Sequence, residues 1–219
     1  MSENALECIV TGAENPDSTI IWMHGLGADG NDFVPIVPEL GLGNTRFVFP
    51  HAPVRAITLN AGMHMRGWYD IISLNFGDPQ DEHGIRESQG LIDALIDHEI
   101  ANGMPSERII LAGFSQGGVM ALHTGLRRAD KLAGILALST YLALDDKVAS
   151  EVSDANRDTP IFMAHGQYDD VIQPRFGRAS KDMLEALDYS VEWHEYAMPH
   201  AVVPEEISDI SRWLQARLA

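Results

Sequence analysis

Arg108-Ile-Ile-Leu-Ala-Gly-Phe-Ser-Gln-Gly-Gly118 decides the fold. Its first half is an unbroken apolar run of strand length, and Val119-Met-Ala-Leu-His-Thr124 beyond it reads as a helix. Between them, Gly113-Phe114-Ser115-Gln116-Gly117 places a small residue two before and two after a serine. A strand that turns sharply into a helix needs that spacing, because the two elements meet closely and the serine takes a strained backbone at the turn. The serine then stands at a helix N-terminus, whose free N–H groups favour negative charge developing beside it. Ser115 is the candidate nucleophile. The competing reading is a serine that only caps a helix. Ser106 follows Pro105 as a cap, and Ser139 ends a strand without the flanking glycines.

Outward from this stretch, short apolar runs at 19–23, 45–49, 108–114, 133–139, 160–164 and 191–196 alternate with segments of helical character at 32–40, 85–101, 116–128, 174–187 and 205–217. Residues 85–101 are the clearest helix, with Leu91, Ile92, Leu95, Ile96 and Ile100 at helical spacing. Alternation of this kind predicts an α/β fold, a mostly parallel sheet flanked by crossover helices. With 219 residues, 45% of them hydrophobic, the chain suits one core, so residues 1–219 are expected to be a single domain. Two stretches resist the alternation. Residues 50–84 hold scattered large side chains, among them Met63, Met65, Trp68, Tyr69 and Phe76, and read as a long functional loop. Residues 141–159 read as a polar connection with a helical turn or two.

Charge narrows the class of function. Fifteen basic residues against thirty-two acidic ones leave a net charge of −17, which repels phosphate backbones and anionic lipid. Nucleic acid and stable membrane association are not expected. Cys8 is the only cysteine, so neither an intrachain disulfide nor a cysteine-based metal site is available. The N-terminal stretch lacks the basic and apolar regions of a signal peptide, and no apolar run has the length of a membrane span. A cytoplasmic location is the expectation.

A serine nucleophile in this kind of fold is followed in chain order by an acid and then a histidine, each in a loop after a later strand. After 160–164 comes His165-Gly-Gln-Tyr-Asp169-Asp170, and after 191–196 comes Ala197-Met-Pro-His200. Spacing alone leaves Asp169 and Asp170 both open. His200 has rivals in His24, His165 and His194, and gains from standing last, just before the final helix. In that reading His200 takes the Ser115 proton and the acid fixes its tautomer.

His24-Gly25-Leu26-Gly27-Ala28-Asp29-Gly30 follows the first apolar run and contains Gly-x-Gly-x-x-Gly. One reading is a dinucleotide-binding loop over Gly25 to Gly30. Asp29 among phosphate-contacting amides, and the absence of an acid at the tip of 45–49, count against it. The other reading is an oxyanion loop, with backbone N–H groups of Leu26 and of Gln116 as the two donors. Metal hydrolysis is a weaker rival, since no His-Glu-x-x-His occurs and no metal site is expected. A non-catalytic binding protein is the remaining alternative.

With those residues in view, the chain resembles the phospholipase/carboxylesterase family of α/β hydrolases, which includes acyl-protein thioesterases, and most closely its bacterial carboxylesterases. The blocks that carry this are Ile20-Ile-Trp-Met-His-Gly-Leu-Gly-Ala-Asp29, Trp68-Tyr-Asp-Ile71, Arg108 to Gly118, Ala137-Leu-Ser-Thr-Tyr141, His165-Gly-Gln-Tyr-Asp-Asp-Val171 and Met198-Pro-His200. They span nearly the whole chain in the family's order. The resemblance implies a cap-free α/β-hydrolase fold, Asp169 and not Asp170 as the orienting acid, Leu26 and Gln116 as oxyanion donors, and Trp68 beside the substrate. It implies hydrolysis of short- to medium-chain carboxylic esters without a cofactor, with thioesterase or lysophospholipase activity as the alternative. Some members are homodimers, so self-association is a further expectation. The chain departs from the pattern at Pro199, where relatives often have glycine, and a stiffer histidine loop is expected.

Overall fold

Isoleucine, leucine and phenylalanine recur in the runs at the centre of the sheet, where they are buried on both faces as a parallel sheet under helices requires. The computed structural model describes residues 6–73 and 79–219; Phe76 and residues 1–5 lie outside them. Strands β1 (Cys8–Gly12), β2 (Ser18–Met23), β3 (Thr45–Pro50), β6 (Ile109–Phe114), β7 (Gly134–Leu138), β8 (Ile161–Gly166) and β9 (Val191–Tyr196) form a seven-stranded sheet in the order β1-β3-β2-β6-β7-β8-β9. Neighbours are parallel throughout except β1, which runs antiparallel to β3. Strands β4 (Val54–Ile57) and β5 (Met63–Arg66) form a separate hairpin.

The strand period of two divides the apolar residues between two cores. Ile20 and Trp22 join Phe47, Leu136 and Phe162 beneath α1 (Val37–Leu40) and α6 (Pro204–Leu218), whose Leu40, Trp213 and Leu214 close that face. Ile21 and Met23 join Val48, Leu111 and Ile135 beneath α2 (Glu82–Ala101), α3 (Gln116–Arg127) and α5 (Pro174–Ala186), through Ile92, Ile96, Val119 and Leu184. Each such side chain contributes about 1.5–3 kcal/mol by burial. Helix α4 (Asp145–Glu151) and a 3₁₀ turn, Asp154–Asn156, occupy the second polar connection, as its sequence suggests.

Two expectations are corrected. Residues 32–40 form a 3₁₀ turn, Val34–Ile36, and the one-turn α1, not a continuous helix. Pro35 and Pro38 are the reason: proline is accommodated only in a helix's first turn, so two of them permit two short starts. Residues 50–84 are not one long loop, because they contain the β4–β5 hairpin, paired Val54 to Arg66 and Ile57 to Met63.

The chain passes outward from β2 to β3 and then returns to the other side of β2 as β6. The loops leaving β2 and β6 therefore diverge, and open α/β sheets form their binding crevices at such a switch point. Gly25 and Ser115 stand in those two loops.

Candidate active site

Ser115 joins β6 to α3 with φ 55° and ψ −120°, in the left-handed region that an L-residue adopts only when its surroundings impose it. The flanking glycines explain how. A Cβ on Gly113 would lie 2.1 Å from the Gly117 carbonyl oxygen, and one on Gly117 would lie 2.2 Å from that of Met23. Only with both side chains missing can β6, α3 and the end of β2 meet. The strained residue is held on both sides: its N–H donates to Leu138 O at 2.8 Å, and its carbonyl accepts from Val119 N–H at 3.1 Å and Thr140 Oγ1 at 2.7 Å.

Asp169 and His200 come from the loops after β8 and β9, which are stitched together where Gln167 N–H donates to Tyr196 O (2.8 Å) and Tyr168 N–H to Met198 O (3.0 Å). His200 Nδ1 donates to Asp169 Oδ2 at 2.7 Å. Asp169 Oδ1 accepts from Val171 N–H and Ile172 N–H at 3.0 and 2.8 Å. Asp170 is exposed. Burial pushes the Asp169 carboxyl up, but hydrogen bonds from His165, His200 and Ile172 outweigh it and hold the group well below the usual carboxylate range. The His200 ring packs on that of Phe114, the residue before Ser115, with centroids 4.7 Å apart. Among the described residues neither Ser115 Oγ nor His200 Nε2 has a hydrogen-bond partner, so both are free to engage a substrate. Pro199 fits the histidine loop, where Ala201 N–H donates back to its carbonyl at 2.9 Å.

Gly25 packs against the nucleophile, since a Cβ there would lie 3.4 Å from Ser115 Cβ. The side chains of Leu26 and Gln116, the two expected oxyanion donors, both approach Gly67, where a Cβ would lie 3.0 Å from Leu26 Cδ1 and 3.5 Å from Gln116 Oε1, and neither backbone N–H donates to a backbone carbonyl among the described residues. Gly27 N–H donates to Arg66 O at 2.8 Å, tying the loop to β5. The loop runs on through turns before its first 3₁₀ turn, so no helix opens behind Gly25-x-Gly27-x-x-Gly30 as a dinucleotide loop requires. Trp68 is fully buried, and so offers a substrate no surface in this conformation. Its indole N–H donates to His24 O at 2.9 Å, and its backbone N–H to Gln116 Oε1 at 2.8 Å. Gln116 Nε2 in turn donates to Tyr69 O at 2.7 Å.

His165, a rival base on sequence grounds, has a different place. It lies inside β8, 1% exposed, with Nε2 2.7 Å from Ile172 O and 3.4 Å from Asp169 Oδ2, the oxygen that holds His200. Its place four residues before Asp169 was the available signal. His194 packs instead on Phe162 and Tyr196, away from the site. A groove of about 920 Å³ between β1 and α2, lined by Cys8, Arg46, Val48, Leu91, Leu95 and Glu99, holds none of Ser115, Asp169 and His200. Among the described residues no group of three or more His, Cys, Asp and Glu is placed to hold a metal ion.

The description of one family, phospholipase/carboxylesterase, fits residues 4–218. The chain belongs to the phospholipase/carboxylesterase family. A family relative, acyl-protein thioesterase 1 of Yarrowia lipolytica, is 40% identical over 209 residues, 92% of either chain. Among solved structures, Arabidopsis thaliana SOBER1 superimposes with a TM-score of 0.88 at 31% identity, covering 92% of this chain and 99% of that one. Zea mays acyl-protein thioesterase 2 gives 0.89 at 27% identity, over 97% and 99%. The fold is accordingly the α/β-hydrolase fold of esterases, and the chain is a hydrolase of the esterase and thioesterase class. Among the described residues no helix is long and apolar enough to cross a membrane.

Proposed function

We propose that this chain hydrolyses acyl thioesters and carboxylic esters through an acyl-enzyme on Ser115. The observation that supports the reading is a serine held at φ 55°, with a histidine packed on the preceding Phe114 ring whose Nδ1 lies 2.7 Å from a buried carboxylate. His200 Nε2 takes the Ser115 proton as Oγ adds to the acyl carbonyl carbon. The resulting oxyanion accepts from Leu26 and Gln116 N–H. Collapse breaks the bond to the leaving oxygen or sulfur, and His200 returns its proton to that group. Water repeats the sequence and releases the acid.

The family resemblance implies short- to medium-chain esters, and the names of the relatives bring thioesters of acylated proteins forward. Exposed apolar side chains support an acyl substrate. The hairpin presents Val54, Leu59 and Met63, and the Asp169 loop presents Tyr168 and Val171. The test is turnover of a p-nitrophenyl ester series and an S-acylated peptide by the purified protein, with a fluorophosphonate block and mass analysis of the adduct. Turnover that is blocked, with one adduct on the Ser115 peptide, is the expected result. No turnover and no adduct would sink the reading, and the ratio of thioester to ester rates assigns the leaving group.

A further inference from the structure

Two buried side chains each grip a carbonyl in the loops that leave β2 and β6. His24 and Thr140 are each 1% exposed. Ala52 N–H donates to His24 Nε2 at 3.1 Å, so that nitrogen carries no proton, and Nδ1–H donates to the Gly25 carbonyl at 2.7 Å. Thr140 Oγ1–H donates to the Ser115 carbonyl, also at 2.7 Å. Both peptides are trans, and in a trans peptide the C=O and the following N–H point in opposite directions. A carbonyl held from the far side therefore aims the next residue's N–H toward the near side. Those next residues are Leu26 and Gln116. A hydrogen bond accepted at the carbonyl also polarises the amide and strengthens its N–H as a donor.

We propose that His24 and Thr140 are a matched pair of positioning residues, which aim and polarise the Leu26 and Gln116 N–H groups at a developing oxyanion. The proposal rests on the hydrolase reading above, and neither side chain touches the substrate. Three further features fit it. Ser139 takes φ 45° at the end of β7, a strained turn that carries Thr140 back toward β6. Gly118 leaves the room Thr140 needs, since a Cβ there would lie 2.8 Å from Thr140 Cβ. Burial lowers the His24 pKa more than its bond to Gly25 raises it, which keeps the ring neutral with its donor on Nδ1.

Thr140→Val removes the hydroxyl at nearly constant volume, and Thr140→Ser restores it. The readouts are kcat and KM on a p-nitrophenyl ester, and inhibition by an alkyl trifluoromethyl ketone, which adds to the serine and creates the oxyanion. Thr140→Val should lower kcat by about ten- to a hundredfold, less than loss of a whole oxyanion donor. KM should stay nearly constant, ketone affinity should fall by the same factor as kcat, and Thr140→Ser should recover most of both. A merely structural role would lower the thermal midpoint without moving kcat and ketone affinity together. If Thr140→Val does not fold, Thr140→Ala carries the same expectation. A folded variant with parental kcat and ketone affinity, or a loss that Thr140→Ser does not restore, overturns the proposal. Should Ser115→Ala abolish turnover while Thr140→Val keeps it, only this proposal fails; turnover by Ser115→Ala would remove the reading beneath it.

Discussion

The Asp169 carboxylate is sealed from solvent, with a side chain 0% exposed, yet lies 2.7 Å from His200, whose ring is 15% exposed. The pair thus spans the boundary between the interior and the crevice, with the charge inside and the exchangeable proton outside. Asp170, next in the chain, faces solvent. Asp169→Asn should lower kcat by about a thousandfold or more, since an amide at that position favours the wrong imidazole tautomer. Asp170→Asn should stay within a few-fold of the parent. Steady-state kinetics on one ester decide it, and equal losses would leave the acid unassigned.

Ser115→Ala should abolish hydrolysis while leaving the fold in place, because the bonds that hold residue 115 come from its backbone and from Thr140. Turnover and circular dichroism of the same sample are the check. Retained turnover in the purified variant would contradict the proposed chemistry.

Gly117→Ala should destabilise the protein by roughly 3 kcal/mol. The added methyl would meet the Met23 and His24 carbonyl oxygens at 2.2 and 2.7 Å, and backbone cannot swing aside as a long side chain can. Urea denaturation measures the loss. Gly90→Ala is the control, since nothing lies within 4 Å of a Cβ there.

Glu206, buried in the first turn of α6 with neither carboxylate oxygen hydrogen-bonded, should make stability fall as pH rises. Burial pushes its carboxyl up to about 8, against a smaller lowering effect of the Val203 backbone, and nearby Asp209 adds to the rise. Between the ordinary glutamate value of 4.5 and about 8 the folded chain keeps a proton that the unfolded chain has released, so stability is lost across that window and levels off above it. Glu206→Gln cannot ionise. Its thermal midpoint should match the parent near pH 4 and exceed it increasingly toward pH 9; a constant difference across that range would refute the assignment.

What the sequence showed of the fold followed from burial. Strands β2, β3, β6, β7 and β8 are buried on both faces and appear as continuous apolar runs. Strand β1 was invisible because Cys8–Gly12 is short and half-exposed, and its antiparallel pairing with β3 is a tertiary fact. The β4–β5 hairpin was missed for the same reason, since only Ile57 of Val54–Ile57 is buried. At the site, flanking glycines single out Ser115 and chain order points to His200, whereas Asp169 is separated from Asp170 only by the family resemblance and, in the structure, by its burial and its bond to His200. The Gln116 and Thr140 side chains and the His165 ring hydrogen-bond to backbone groups, and no local pattern records such partners.

The adjacency of β2 and β6 links parts of the chain that are far apart in sequence. The turn that strains Ser115 draws on β6, α3 and β7, which follow one another closely, but the Leu26 arm arrives only when β2 has paired with β6. Such non-local pairing carries a large loop-closure cost and is slow to form. A nascent or partly unfolded chain can thus display the serine without the second arm of its anion site. On the proposed chemistry, hydrolytic competence becomes a report on the closed centre of the sheet, where β2 lies against β6.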